Sequence, residues 1–130
     1  MTAEKIAGIG ALNIAFAIAM GAFAAHGLKN KLDPYLLSVF EKAVKYQLIH
    51  ALALVSLPLI LKGRLDQTQW IWYFQMAGIL LFSGSLYLLS CRFLIGLDSW
   101  KWLGAITPFG GLMFILSWVL LALKLFRLKS

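Results

Sequence analysis

The sequence predicts an all-α fold: a polytopic membrane protein built as a four-transmembrane-helix bundle, up-down-up-down, with an interfacial extension at the start of helix 2. Three observations predict it. First, 62% of the 130 residues are hydrophobic and only 13% are charged, about half the share usual in soluble domains. Second, residues 6–28, 46–61, 67–91 and 102–123 contain no Lys, Arg, Asp or Glu, so every charge falls between these runs or at the two termini. Third, runs of this length suit a hydrocarbon layer of about 30 Å at about 1.5 Å of rise per residue. A soluble globular domain, a disordered chain and a secreted disulfide scaffold are excluded. Nothing alternates with the two-residue period of a closed β-barrel. Residues 1–130 read as a single transmembrane domain.

Helix 1 is expected over about 5–25. Ala7, Ala11, Ala15 and Ala19 recur every four residues, and so do Asn13, Ala17, Gly21 and Ala25. Rows of small residues let neighbouring backbones approach closely inside a membrane. Helix 1 is therefore expected to be the central, most enclosed helix, with Asn13 as an interhelical hydrogen-bond donor. Glu4, Lys5, the apolar stretch and Ala22-Phe23-Ala24 have the outline of a cleavable signal peptide. Against that, Glu4 offsets the single Lys5 and the apolar run is unbroken from Ile6 to Ala25, so a retained helix is expected. Gly27 suits the left-handed position that closes a helix.

Helix 2 is expected over 34–61. Asp33-Pro34 supplies a capping side chain followed by proline at the first helical position. Residues 34–45 then form an amphipathic interfacial portion, and Tyr46–Leu61 the spanning portion. That span is only about 24 Å long, so Lys45 and Lys62 are expected to reach outward at its ends. Pro58 is expected to bend the last turns. Residues 62–69 form a short polar connection.

Helix 3 is expected over 70–91, entered through an interfacial belt of Trp70, Trp72 and Tyr73. Helix 4 is expected over 102–123, entered through Trp100 and Trp102. Thr107-Pro108 and Gly110-Gly111 should loosen or kink its first half. Lys124, Arg127 and Lys129 then form a basic tail.

The net charge is +7, but the basic residues lie in every connection and at both termini, with no basic helix face. Lipid phosphates are the partners this pattern fits, and nucleic acid is not. Call the side that holds both termini side A and the opposite side B. Side A carries Lys5, Lys62, Arg64, Lys124, Arg127 and Lys129; side B carries Lys29, Lys31, Lys42, Lys45, Arg92 and Lys101. The two counts are equal. Discounting Lys42 and Lys45, which belong to the interfacial helix beside Glu41, tips the positive-inside rule towards a cytoplasmic side A.

Catalytic signatures are missing from the sequence. It contains no HExxH, Walker A, nucleophile elbow or carboxylate pair. All acids lie outside the uncharged runs, which removes the intramembrane carboxylate of most proton-coupled transporters. Cys91 is alone, so neither a disulfide nor a CxxC motif exists; it reads as a small apolar residue near a helix end. Two histidines without a third ligand make a poor metal site. No cofactor and no metal are expected.

What remains is a candidate cluster of polar residues at the side-B end: His26, Tyr46, Gln47, His50, Tyr87 and Thr107. At 100° per residue, Ala43, Tyr46, Gln47 and His50 share one face of helix 2. Ser83, Tyr87 and Ser90 form a stripe on helix 3; Thr107, Gly111, Phe114 and Trp118 share a face of helix 4. Polar groups do not face lipid without cost, so these faces should meet inside the bundle. The cluster is expected to centre on His50 and Gln47, faced by Tyr87 and Thr107, with His26 near the rim. It reads first as packing in which these groups satisfy one another. The second reading is a site for a small molecule, an ion or a lipid headgroup.

Gly21-Ala22-Phe23-Ala24-Ala25-His26-Gly27-Leu28, with Lys42-Ala43-Val44-Lys45-Tyr46-Gln47 and His50-Ala51-Leu52-Ala53-Leu54, resembles a family of small bacterial membrane proteins of unknown function. The family has a eukaryotic relative, a small four-helix transmembrane protein associated with mitochondria. Phe82-Ser83-Gly84-Ser85-Leu86-Tyr87 and Ile106-Thr107-Pro108-Phe109-Gly110-Gly111 continue the resemblance, which covers essentially the whole chain. Two residues depart from the family pattern: Ala24 stands where glycine is expected, and Lys42 where threonine is frequent. The resemblance implies four spanning helices, an uncleaved first helix and a bacterial cytoplasmic (inner) membrane. It implies no activity, cofactor or substrate.

Three functions follow, in order. The leading one is a non-enzymatic membrane component that binds a partner protein or lipid. The second is a small transporter or channel, which would need a homo-oligomer because four short helices rarely enclose a water path. The third is a membrane enzyme with His50 as base.

Overall fold

The computed structural model describes residues 1–62, 64 and 68–128. Four helices are long and apolar enough to cross a membrane: α1 (Ala3–Leu28), α2 (Pro34–Ile60), α3 (Gln69–Cys91) and α4 (Trp100–Leu128). Each packs antiparallel on the next, so the bundle runs up-down-up-down. Among the described residues there is no strand.

The sequence dictates the helix ends. Thr2 caps α1 by accepting from the Lys5 amide at 3.3 Å. Asp33 caps α2, its Oδ1 accepting from Leu36 N at 2.9 Å, with Pro34 in the first turn. These bonds satisfy amides that a helix start leaves without intrahelical partners. The first turns of α2 do form an amphipathic extension. Leu36, Val39, Phe40, Ala43 and Val44 are buried, while Glu41, Lys42 and Lys45 are exposed. Leu36, Phe40 and Val44 pack with Ala24, Leu28 and Leu32, closing the side-B end of the α1–α2 pair. A larger core fills the middle and side-A half, where Ile6, Leu54, Leu57, Ile71, Trp72, Phe114 and Leu121 come from all four helices.

Helix α1 is not the central helix. In the most apolar window of each helix, 17% of residues are buried in α1 and 22% in α4, against 44% in both α2 and α3. The enclosed pair is α2 and α3. The reason lies in the two small-residue rows. Ile6, Gly10, Ala17, Ala24 and Leu28 are buried, with Asn13 and Gly21 beside them half-buried. Ala11, Ala15 and Ala19 point outward. Only one row meets a neighbour.

That contact is close. A Cβ on Gly10 would lie 2.8 Å from the Ala51 carbonyl oxygen and 2.9 Å from the Val55 nitrogen, so only glycine allows the α1–α2 approach. Gly110 plays the same part between α4 and α3, where an added Cβ would collide with the Phe82 nitrogen and lie 2.8 Å from the Leu81 carbonyl carbon.

Other local expectations need correcting. Gly27 does not close α1 in a left-handed conformation: its φ is not positive, and the helix continues through it as a π-helical turn, Ala24–Leu28. The chain then turns on the bonds Lys31 N to Leu28 O and Leu32 N to Leu28 O. Helix α3 contains a π-helical stretch, Ile79–Gly84, between α-helical parts Gln69–Gly78 and Ser85–Cys91. It ends in a Schellman turn, with Gly96 at φ +73° and Leu97 N donating to Arg92 O at 2.8 Å. Helix α4 opens with a 3₁₀ turn, Trp100–Trp102, and continues as one α-helix, Leu103–Leu128, through Pro108. Lys124 and Arg127 are therefore helical rather than part of a tail. Lys129 lies outside the described residues, as do positions 63 and 65–67 of the expected polar connection.

Candidate functional site

The six candidate residues do not form one cluster. They divide into Gln47 with Tyr87, His50 with Tyr46, and two residues apart from both, Thr107 and His26.

The first group joins three helices. Tyr87 OH on α3 donates to Gln47 Oε1 on α2 at 2.8 Å, and Gln47 Nε2 donates to Asn13 Oδ1 on α1 at 3.0 Å. Asn13 is thus an interhelical acceptor, not the donor expected from sequence. Its own Nδ2 donates within α1 to Ile9 O at 3.0 Å. Gln47 is buried, and neither end of its amide is left to water or lipid. The Tyr87 ring packs edge-on against Phe40, centroids 4.9 Å apart, and against Phe16 at 6.3 Å.

His50 lies apart from that chain of bonds, on the side of α2 that faces α4. It is buried, and its ring stacks on Phe114 with centroids 3.4 Å apart and planes 12° from parallel. Nδ1 donates to the Tyr46 carbonyl at 2.7 Å. A carbonyl can only accept, so Nδ1 carries a proton. Tyr46 extends the stack at 6.0 Å and packs on Phe82 at 4.5 Å, yet it stays 37% exposed. The face that holds Tyr46, Gln47 and His50 is broad enough to divide between two neighbours.

Thr107 meets neither His50 nor Gln47. Its Oγ1 is 2.7 Å from Ser85 Oγ, tying α4 to α3, and it also donates to Leu103 O at 3.5 Å. The buried face of α4 is Leu103, Gly110, Phe114, Ser117 and Leu121, and Trp118 is exposed. The expected face through Gly111 and Trp118 is rotated from the real one. His26 is exposed in the π-helical turn at the end of α1.

Of Ser83, Ser117 and Gln75, all buried, one was expected from the sequence and two were missed. Ser83, part of the expected stripe, donates to the Ala43 carbonyl at 2.8 Å. Ser117, which was missed, donates to the Ile71 carbonyl at 2.7 Å. Gln75, also missed, is 1% exposed and its Oε1 has no partner. Ser117 was detectable, since it lies three residues after Phe114, which the sequence places on the inward face of helix 4; no such signal pointed to Gln75.

The chemistry available inside is neutral hydrogen bonding and aromatic stacking. Glu4, Asp33, Glu41 and Asp98 are all exposed. Among the described residues, no three of His, Cys, Asp and Glu group to hold a metal ion.

Four apolar spans joined by neutral, mutually bonded polar groups define a small polytopic membrane protein. The chain belongs to the family described as protein of unknown function (DUF423), which matches residues 20–111. Its relatives are named as membrane proteins, without an activity. It is 42% identical to the UPF0382 membrane protein of Staphylococcus saprophyticus, over 92% of this chain and 95% of the relative. It is 44% identical to the UPF0382 membrane protein of Staphylococcus aureus strain USA300, over 92% and 93%. For Staphylococcus haemolyticus the identity is 40%, over 92% and 93%. No solved structure matches the chain. The protein is an integral membrane protein of a bacterial family whose biochemical function is not known.

Proposed function

We propose that this chain is a non-enzymatic membrane component that binds a partner's transmembrane helix along the outer face of α1. One observation carries the reading. Of the two small-residue rows on α1, one packs on α2, and in the other Ala11, Ala15 and Ala19 are exposed while Ala7 is half-buried. Small rows are how helices associate where lipid removes the hydrophobic drive. The interior offers less to a ligand, since Gln47, Tyr87, Ser83, Ser85, Thr107 and Ser117 are engaged in the bonds that join the helices.

Native electrophoresis of gently solubilised membranes tests this. The wild-type chain is expected in a complex larger than one copy, and Ala15→Trp should reduce it to a single copy without unfolding it. Gln47→Leu, an interior change, should keep the complex. A monomeric wild-type chain, or a complex indifferent to Ala15→Trp, would overturn the proposal. Solute flux through the purified protein in liposomes would favour the transporter reading instead.

A further inference from the structure

On side A, Leu121 is the last buried residue of α4, and residues 122–128 are exposed or half-buried. A groove follows each flank of this end of the helix. One, of about 580 Å³, lies between α3 and α4 and is lined by Trp70, Ile71, Phe74, Leu120, Leu123 and Arg127, with Lys124 beside them. The other, also of about 580 Å³, lies between α4 and the end of α2, where Ile60, Leu61 and Leu125 make the wall and Lys62 and Arg64 the rim.

Both grooves have the same composition. Apolar side chains make most of the lining, and each groove carries two cations, Lys124 and Arg127 in the first and Lys62 and Arg64 in the second. Lys62 stands at φ +50°, in the left-handed position that commonly follows a helix end.

We infer that each groove seats one anionic phospholipid, its phosphate at the basic rim and one acyl chain along the apolar wall. The match is of charge: cations beside an apolar groove between helix ends suit an acidic lipid and leave a zwitterionic one without net attraction. This surface is separate from the outer face of α1, and the inference stands without that reading.

Native mass spectrometry of the full chain, released from nanodiscs of mixed phosphatidylglycerol and phosphatidylcholine, tests it. The wild type should retain up to two phosphatidylglycerols in preference to phosphatidylcholine. The Lys62→Gln, Arg64→Gln double variant should lose one of them, and Arg127→Gln should weaken retention of the other, by roughly fivefold for each cation removed. Lys62→Arg with Arg64→Lys should restore the first, which separates charge from folding. Lys29→Gln with Lys31→Gln, on side B, should change neither. Equal retention of the two lipids by the wild type would overturn the inference. So would an equal loss in the side-B variant, which would mean that net charge acts without a site.

Discussion

Gln47 receives a hydrogen bond at one end of its amide and gives one at the other, so its removal disturbs three helices together. Intramembrane hydrogen bonds contribute about 0.6 kcal/mol each. Gln47→Leu should therefore cost about 1 kcal/mol in denaturation by sodium dodecyl sulfate, and Tyr87→Phe about half of that. In the Gln47→Leu background, Tyr87→Phe should cost almost nothing further; full additivity would show that the bond is not made. His50 behaves differently because its ring is stacked on Phe114. His50→Ala should cost about 2 kcal/mol or more, through the cavity it leaves, whereas His50→Phe, which keeps the ring, should cost less than about 1 kcal/mol. Equal losses in the two variants would show that the hydrogen bond, and not the ring, is what matters. The Gln47–Tyr87 bond follows the depths read from sequence. The pairing of Thr107 with Ser85 does not, because the buried face of α4 runs through Leu103, Gly110, Phe114 and Ser117 and is rotated from the face counted through Thr107, Gly111 and Trp118.

Helices α1 and α4 each approach a neighbour through a glycine. Gly10→Ala should push α1 off the backbone at Ala51 and Val55, and Gly110→Ala should push α4 off Phe82. Each should cost about 1–3 kcal/mol, as overpacking does elsewhere, measured by the same denaturation. Gly8→Ala is the control: a Cβ there meets nothing within 4 Å, so stability should be unchanged or slightly higher. The caps and the interfacial extension of α2 were legible because Asp33-Pro34 is a local signal. The enclosure of α1 was misjudged because small residues mark faces that can pack. They do not say whether a neighbour exists for each face, and that depends on how four helices are arranged around one another. The length of α4 was misjudged because Lys124 and Arg127 were read as ending the helix, whereas basic residues favour its last turn.

Across the whole molecule, the four-span bundle was legible from the uncharged runs alone, since hydrocarbon thickness sets their length. Cysteine-accessibility scanning should find four protected stretches within α1 to α4, and a purified N-terminus trimmed near Ala24 would instead leave three. Orientation rests on a nearly even distribution of basic residues. A C-terminal reporter should be active on the cytoplasmic side; activity only on the outside would reverse that assignment. The function was less legible, because the residues that usually carry chemistry are used here in joining helices. The central claim is that binding occurs on the outer face of α1 and not in the polar interior. Site-specific photo-crosslinking in intact membranes tests it most directly, with the probe placed at Ala15 on the outer row, at Ala17 on the row facing α2, and at His50 in the interior. The account predicts a discrete adduct with another polypeptide from position 15 alone. An adduct from position 50 with none from position 15 would contradict it.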